Sequence, residues 1–105
     1  MIEEKIIEYL SSLLSVPVFL EIPEHPPKSY VALDRTGGDM TDRLKHAVFA
    51  VQSYAPSLAA AAALNEEVKQ AFENAEFTAI LNSDYNYTDT TKKEYRYQAI
   101  FEFYY

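Results

Sequence analysis

The chain has two histidines and no cysteine, so the chemistry open to it is narrow. A nucleophilic serine needs an oriented base beside it. His25 stands in Pro23-Glu24-His25-Pro26-Pro27, which reads as an exposed connector. His46 alternates with Ala47 and Phe49, a spacing that points it away from a core. Seven serines supply chance partners, but none sits in a nucleophile-elbow motif. Without cysteine there is neither a disulfide framework nor a thiolate metal site. Asp84, Asn86, Thr88 and Asp89 resemble part of a calcium loop. The EF-hand needs Gly at its sixth place and Glu at its twelfth, and Asp89 and Tyr95 stand there instead. The stretch reads as a solvated Asx-type turn. Gly37-Gly38 follows a strand-like run, but Lys45 comes too late for a phosphate loop and enters a strand pattern. Glu21, Glu24, Asp34, Asp39 and Asp42 gather around the proline connector and the glycine pair. Paired carboxylates can do acid–base work. The commoner use of such a cluster is a solvated rim. The expectation is a non-enzyme, with no catalytic, cofactor-binding or metal-binding residue and no cofactor.

The composition narrows the class further. A length of 105 residues fits one domain, taken as 1–105. At 49% hydrophobic and 24% charged, the chain can build an ordinary core. Its net charge is −7, with nine Lys and Arg against sixteen acids. A protein that grips nucleic acid usually carries a basic face, so no direct, specific nucleic-acid binding is expected. No apolar run approaches the ~20 residues of a membrane span, so no membrane partner is expected. The first residues, Met1-Ile2-Glu3-Glu4-Lys5, lack the pattern of a secretory leader. Nine Tyr and six Phe make the chain rich in aromatics. Tyr suits interfaces, because its ring buries area while its hydroxyl finds a polar partner. Strands also favour it for plain packing reasons.

The elements that must hold these residues follow from periodicity. Ile2, Ile6, Leu10 and Leu13 or Leu14 predict an amphipathic helix over 2–14, stopped before Pro17. Val16, Val18, Leu20 and Ile22 predict a strand over 16–22. A second strand is expected over 30–35 and a third over 44–54, with Ala47, Phe49 and Val51 on one face. Thr36-Gly37-Gly38-Asp39 between them reads as the turn of an antiparallel hairpin. Pro56 suits the first position of an alanine-rich helix over 57–73. A fourth strand is expected over 77–81, then a turn-rich stretch over 82–91. The last strand, 94–104, alternates Tyr95, Tyr97, Ala99, Phe101 and Phe103 with polar residues. The order α-β-β-β-α-β-β predicts an α+β fold. Its sheet of about five strands should be mostly antiparallel or mixed, with two helices packed on one face.

Three stretches, in order, carry a resemblance. They are Val16-Pro17-Val18-Phe19-Leu20-Glu21-Ile22-Pro23 with Pro26-Pro27 and Arg35-Thr36-Gly37; Ala50-Val51-Gln52-Ser53-Tyr54-Ala55 before the alanine-rich helix; and Asn82-Ser83-Asp84-Tyr85-Asn86-Tyr87-Thr88-Asp89 with Tyr95-Arg96-Tyr97-Gln98-Ala99. Together they cover nearly the whole chain, which resembles the tail-terminator-like (tail-completion) proteins of phages and prophages. The resemblance implies a structural virion protein found in the virion and, during assembly, in the host bacterial cytoplasm. Its copies would form a ring, commonly a hexamer, that caps the tail tube and meets head-completion proteins. The runner-up reading is another neck or minor capsid protein of the head–tail junction. The third is a small α+β ligand-binding domain. Exposure and residue type nominate Gly37, Gly38, Asp39, Met40 and Asp42, with Tyr85 and Tyr87, as the oligomer or tube interface.

Overall fold

The computed structural model of the chain describes residues 1–41 and 44–105. In chain order the elements are α1 (Ile2–Leu13), β1 (Val18–Phe19), β2 (Tyr30–Thr41), β3 (Leu44–Ala55), α2 (Leu58–Glu73), β4 (Thr78–Asn86) and β5 (Tyr95–Tyr104). The five strands form one mixed sheet in the order β1-β2-β3-β5-β4. β1 runs parallel to β2, and the other three pairings are antiparallel. The fold is α+β, as its sequence pattern predicts.

Both helices lie on one face of the sheet. Ile2, Ile6 and Leu10 of α1 and Leu64, Val68 and Phe72 of α2 join Val31, Leu33, Phe49, Val51, Phe101 and Phe103 in a single core. Burying each large side chain contributes about 1.5–3 kcal/mol. The last position of the α1 stripe is Leu14, which packs against the core, while Leu13 is 56% exposed. Tyr9 ties the helices together: its hydroxyl donates to the Ala71 carbonyl, and its ring meets Phe72 and Phe77. Among the described residues, no helix is long and apolar enough to cross a membrane.

Four expectations need correction. Thr36-Gly37-Gly38-Asp39 is not the hairpin turn. β2 continues through both glycines to Thr41, and the pairing with β3 shifts at a bulge between Arg35 and Gly37. A bulge consumes one extra residue, here Thr36, and twists the strand, so the ladder resumes at Gly37 and runs on instead of turning. The strand expected over 16–22 shrinks to Val18–Phe19, because the chain bends at Leu20 and Glu21. β4 extends to Asn86, through residues that read as turn formers, with a second bulge between Leu81 and Ser83. Pro56 precedes the cap rather than opening α2. Ser57 is the N-cap, and its hydroxyl accepts from the Ala60 N–H at 3.1 Å.

Candidate interaction surfaces

The sheet face opposite the helices carries a row of stacked groups across the strands. Registers Tyr30↔Tyr54 and Tyr54↔Arg96 place these residues directly opposite one another. The Tyr30 and Tyr54 rings stack at 4.5 Å and 11°. Phe19 tilts against Tyr30 at 5.8 Å on one side. On the other, the Arg96 guanidinium lies 5.6 Å from the Tyr54 ring and 4.5 Å from the Tyr87 ring.

Hydrogen bonds lock this row to the next. Arg96 Nε donates to the Tyr87 carbonyl and Nη1 to the Tyr54 hydroxyl, both at 2.8 Å. Glu94 lies 3.4 Å from Nη1. The Tyr54 hydroxyl donates to Gln52 Oε1 at 2.9 Å. Gln52 Nε2 donates to Gln98 Oε1, and Gln98 Nε2 to the Tyr85 hydroxyl, each at 2.6 Å. Burial pushes the Tyr30 hydroxyl up to about 12, helped by Tyr54 and Glu94 and opposed by Arg96. Burial works against the charge on Arg96. The Tyr54 hydroxyl, Glu94 and Tyr87 outweigh it, so the guanidinium holds its proton more firmly than usual. Three members of the network face solvent broadly: Tyr85 is 41% and Tyr87 46% exposed, and the Glu94 side chain 45%.

The outer end of the β2–β3 hairpin is built differently. Gly38 has a φ of +152°, and a Cβ there would sit 2.5 Å from the His46 carbonyl oxygen. Only glycine fits that backbone without strain. Gly37 needs no such freedom, since a Cβ would find its nearest atom, Val48 Cβ, at 4.0 Å. His46 Nδ1 lies 3.2 Å from Asp39 and Nε2 3.5 Å from Glu102, with the Tyr104 ring 4.9 Å away. The Nε2 approach is too poorly aligned for a hydrogen bond and leaves that nitrogen unsatisfied. Met40 is 66% exposed beyond this cluster. Asp42 lies outside the described residues.

The third surface is the outer edge of β4. Among the described residues, β5 is its one neighbour in the sheet. Beside it, between α2 and β4, runs an open groove of roughly 340 Å³. Its apolar floor includes Phe72, Ala79, Leu81 and Phe101, and its rim Glu66, Lys69, Gln70 and Glu73. Lys69 bridges Glu66 at 2.7 Å and Asp84 at 3.1 Å, which raises its pKa. Asp84, read from sequence as a turn residue, thereby fastens β4 to α2.

The structure does not join the sequence-nominated residues into one site. Asp39 shares a row with His46, Tyr104 and Thr78, while Tyr85 shares one with Gln98, Gln52 and Ala32. Those rows are six residues apart along β3, roughly 20 Å at about 3.3 Å per residue. Sequence reasoning missed the Phe19–Tyr30–Tyr54–Arg96 row. Its signal was an aromatic on each arm of one hairpin, and reading it requires the hairpin register. The chain matches no protein-family model, and no curated protein matches it in sequence.

Proposed function

We propose that this chain is a structural assembly protein without catalytic activity, whose copies close into a tail-terminator-type ring, hexameric in the form the resemblance implies. Such a ring caps a tail tube and joins it to head-completion proteins. Its place is the virion and, before that, the cytoplasm of the bacterial host. The observation that carries the reading is the asymmetry of the sheet. One face is covered by helices, the other carries a polar-aromatic row, and β4 is a sheet edge with β5 as its one neighbour among the described residues. Uncovered faces and open edges suit contact with identical neighbours. A ring needs heterologous contacts that close on themselves. An acidic surface also suits a passage for DNA, since it repels phosphate, and the net charge of −7 supports that role.

The test is the mass of the purified chain in solution, together with electron microscopy of the chain alone and mixed with tail tubes. The expected outcome is a closed ring of fixed stoichiometry at the tube end. A strict monomer that never decorates a tube end would sink the reading.

A further inference from the structure

The two edges of the sheet are complementary in a way that neither is alone. At one edge, β1 offers only Val18 and Phe19 before the chain bends. Just beyond, Leu20 and Ile22 are 44% and 39% exposed. Pro23, Pro26 and Pro27 then end any further ladder. At the other edge, β4 runs nine residues. Folded proteins usually blunt such an edge with Lys, Pro, unpaired charge or a bulge. β4 has the bulge but no Lys or Pro, and its one charge, Asp84, is bound by Lys69. Ile80, Leu81 and Tyr85 along it, and Tyr87 just past its end, are each more than 40% exposed.

Strand polarity selects the occupant. β1 and β2 run one way, β3 the other, β5 back again, and β4 opposite to β5. β4 therefore runs opposite to β1. A second copy in the same orientation, placed head to tail, presents its β1 edge antiparallel to β4, the better-bonded pairing. A β4–β4 contact would need a two-fold axis, which closes at two copies and makes no ring. The side chains agree with this choice. Val16 and Val18 pack into the helix-side core, and in sequence Leu20 and Ile22 continue their two-residue step, so straightening the bend at Leu20 and Glu21 on docking turns both to that side. The α2–β4 groove opens on that same side.

We propose that the outer edge of β4, with the groove beside it, binds residues 18–22 of a second copy head to tail. The sheet then continues from subunit to subunit, and Leu20 and Ile22 seat on the groove floor around Leu81. This rests on the ring reading above and names the contact that builds the ring. It is strand addition, in which main-chain bonds give affinity and alternate side chains give specificity.

The absence of native cysteine gives cross-linking a clean background. Mixing Ile22→Cys chains with Leu81→Cys chains under mild oxidation is expected to give a disulfide-linked dimer of the two kinds. A chain carrying both changes is expected to give a ladder that stops at the ring number. Homodimers of Leu81→Cys alone would show a two-fold contact and overturn the proposal. A ring that forms without either cross-link overturns this interface and leaves the ring reading intact. A monomer under all conditions, tube ends included, removes both. Leu81→Lys and Ile22→Lys, on opposite edges, are each expected to weaken assembly roughly tenfold or more. Their melting midpoints should stay close to that of the parent chain, because both positions are substantially exposed. Either variant assembling as well as the parent would overturn the proposal.

Discussion

On the helix side of the sheet, Phe72 meets Phe101 at 4.7 Å and Phe103 at 5.1 Å, with Phe49 against Phe103 at 5.7 Å. On the open side, Tyr30, Tyr54 and Arg96 form a row held by stacking and directed hydrogen bonds. The first region gains its stability from area removed from water, which tolerates small shifts in geometry. The second gains it from partners placed at set distances, so it depends on strand register. The open side thus needs no covering layer to stay ordered. Losses on the helix side should unfold the chain, and losses on the open side should loosen it locally.

Phe72→Ala should therefore cost the most. It removes a ring that touches Tyr9, Phe77, Phe101 and Phe103 and is 3% exposed. Urea denaturation should show a loss of about 3–5 kcal/mol, a large share of the about 5–15 kcal/mol that holds a domain of this size. A loss below about 1 kcal/mol would mean that the two faces are not stabilised by different means.

Gly38→Ala comes next, at about 1–3 kcal/mol, through strain rather than lost area. The added methyl group would meet the His46 carbonyl at 2.5 Å, with φ at +152°. Gly37→Ala is its control. With 4.0 Å of clearance, it should be neutral or stabilise by about 0.5 kcal/mol through the unfolded chain. Equal melting midpoints for the two variants would place the strain elsewhere.

Arg96→Leu tests the open side itself. It strips the Tyr54 hydroxyl and the Tyr87 carbonyl of their donor and removes a cation from two rings. The expected cost is about 1–2 kcal/mol, because the site is partly solvated. Amide exchange should speed up over residues 86–96 and stay unchanged in α1 and α2. Faster exchange spread across the helices would erase the division between the faces.

The same division explains how much could be read in advance. The helix side was legible because burial leaves a period in a single segment: Ile2, Ile6 and Leu10 in α1, and Ala99, Phe101 and Phe103 in β5. The open side joins residues 24 and 42 positions apart, Tyr30 to Tyr54 and Tyr54 to Arg96, and no single segment shows that pattern. The bulges hid more. Gly37-Gly38 and Asn82-Ser83-Asp84 have turn chemistry, yet both lie within strands, each beside a bulge whose extra residue, Thr36 or Asn82, lets the ladder continue past it. Asp84 reads as a solvated turn acid until α2 brings Lys69 within 3.1 Å. Expected exposure and residue type nominate the interface residues, and neither hints that the sheet sets Asp39 and Tyr85 in rows six residues apart along β3.

The smallest expected effect is a pH dependence that vanishes near neutrality. The Tyr30 hydroxyl is raised from 10.0 to about 12, by burial first and then by Tyr54 and Glu94, against Arg96. The folded chain therefore favours neutral Tyr30. The stability this gives is complete below about pH 10 and is lost as pH climbs from there through about 12. Phenolate absorbance should show one tyrosine ionising after the exposed ones. Tyr30→Phe should remove that late step and flatten the alkaline fall in stability, while leaving the stack on Tyr54 in place. A Tyr30 that ionises with the exposed tyrosines would mean that water reaches the middle of the row. The open face would then owe its order to backbone pairing alone, and the contrast with the helix side would reduce to a difference in cover.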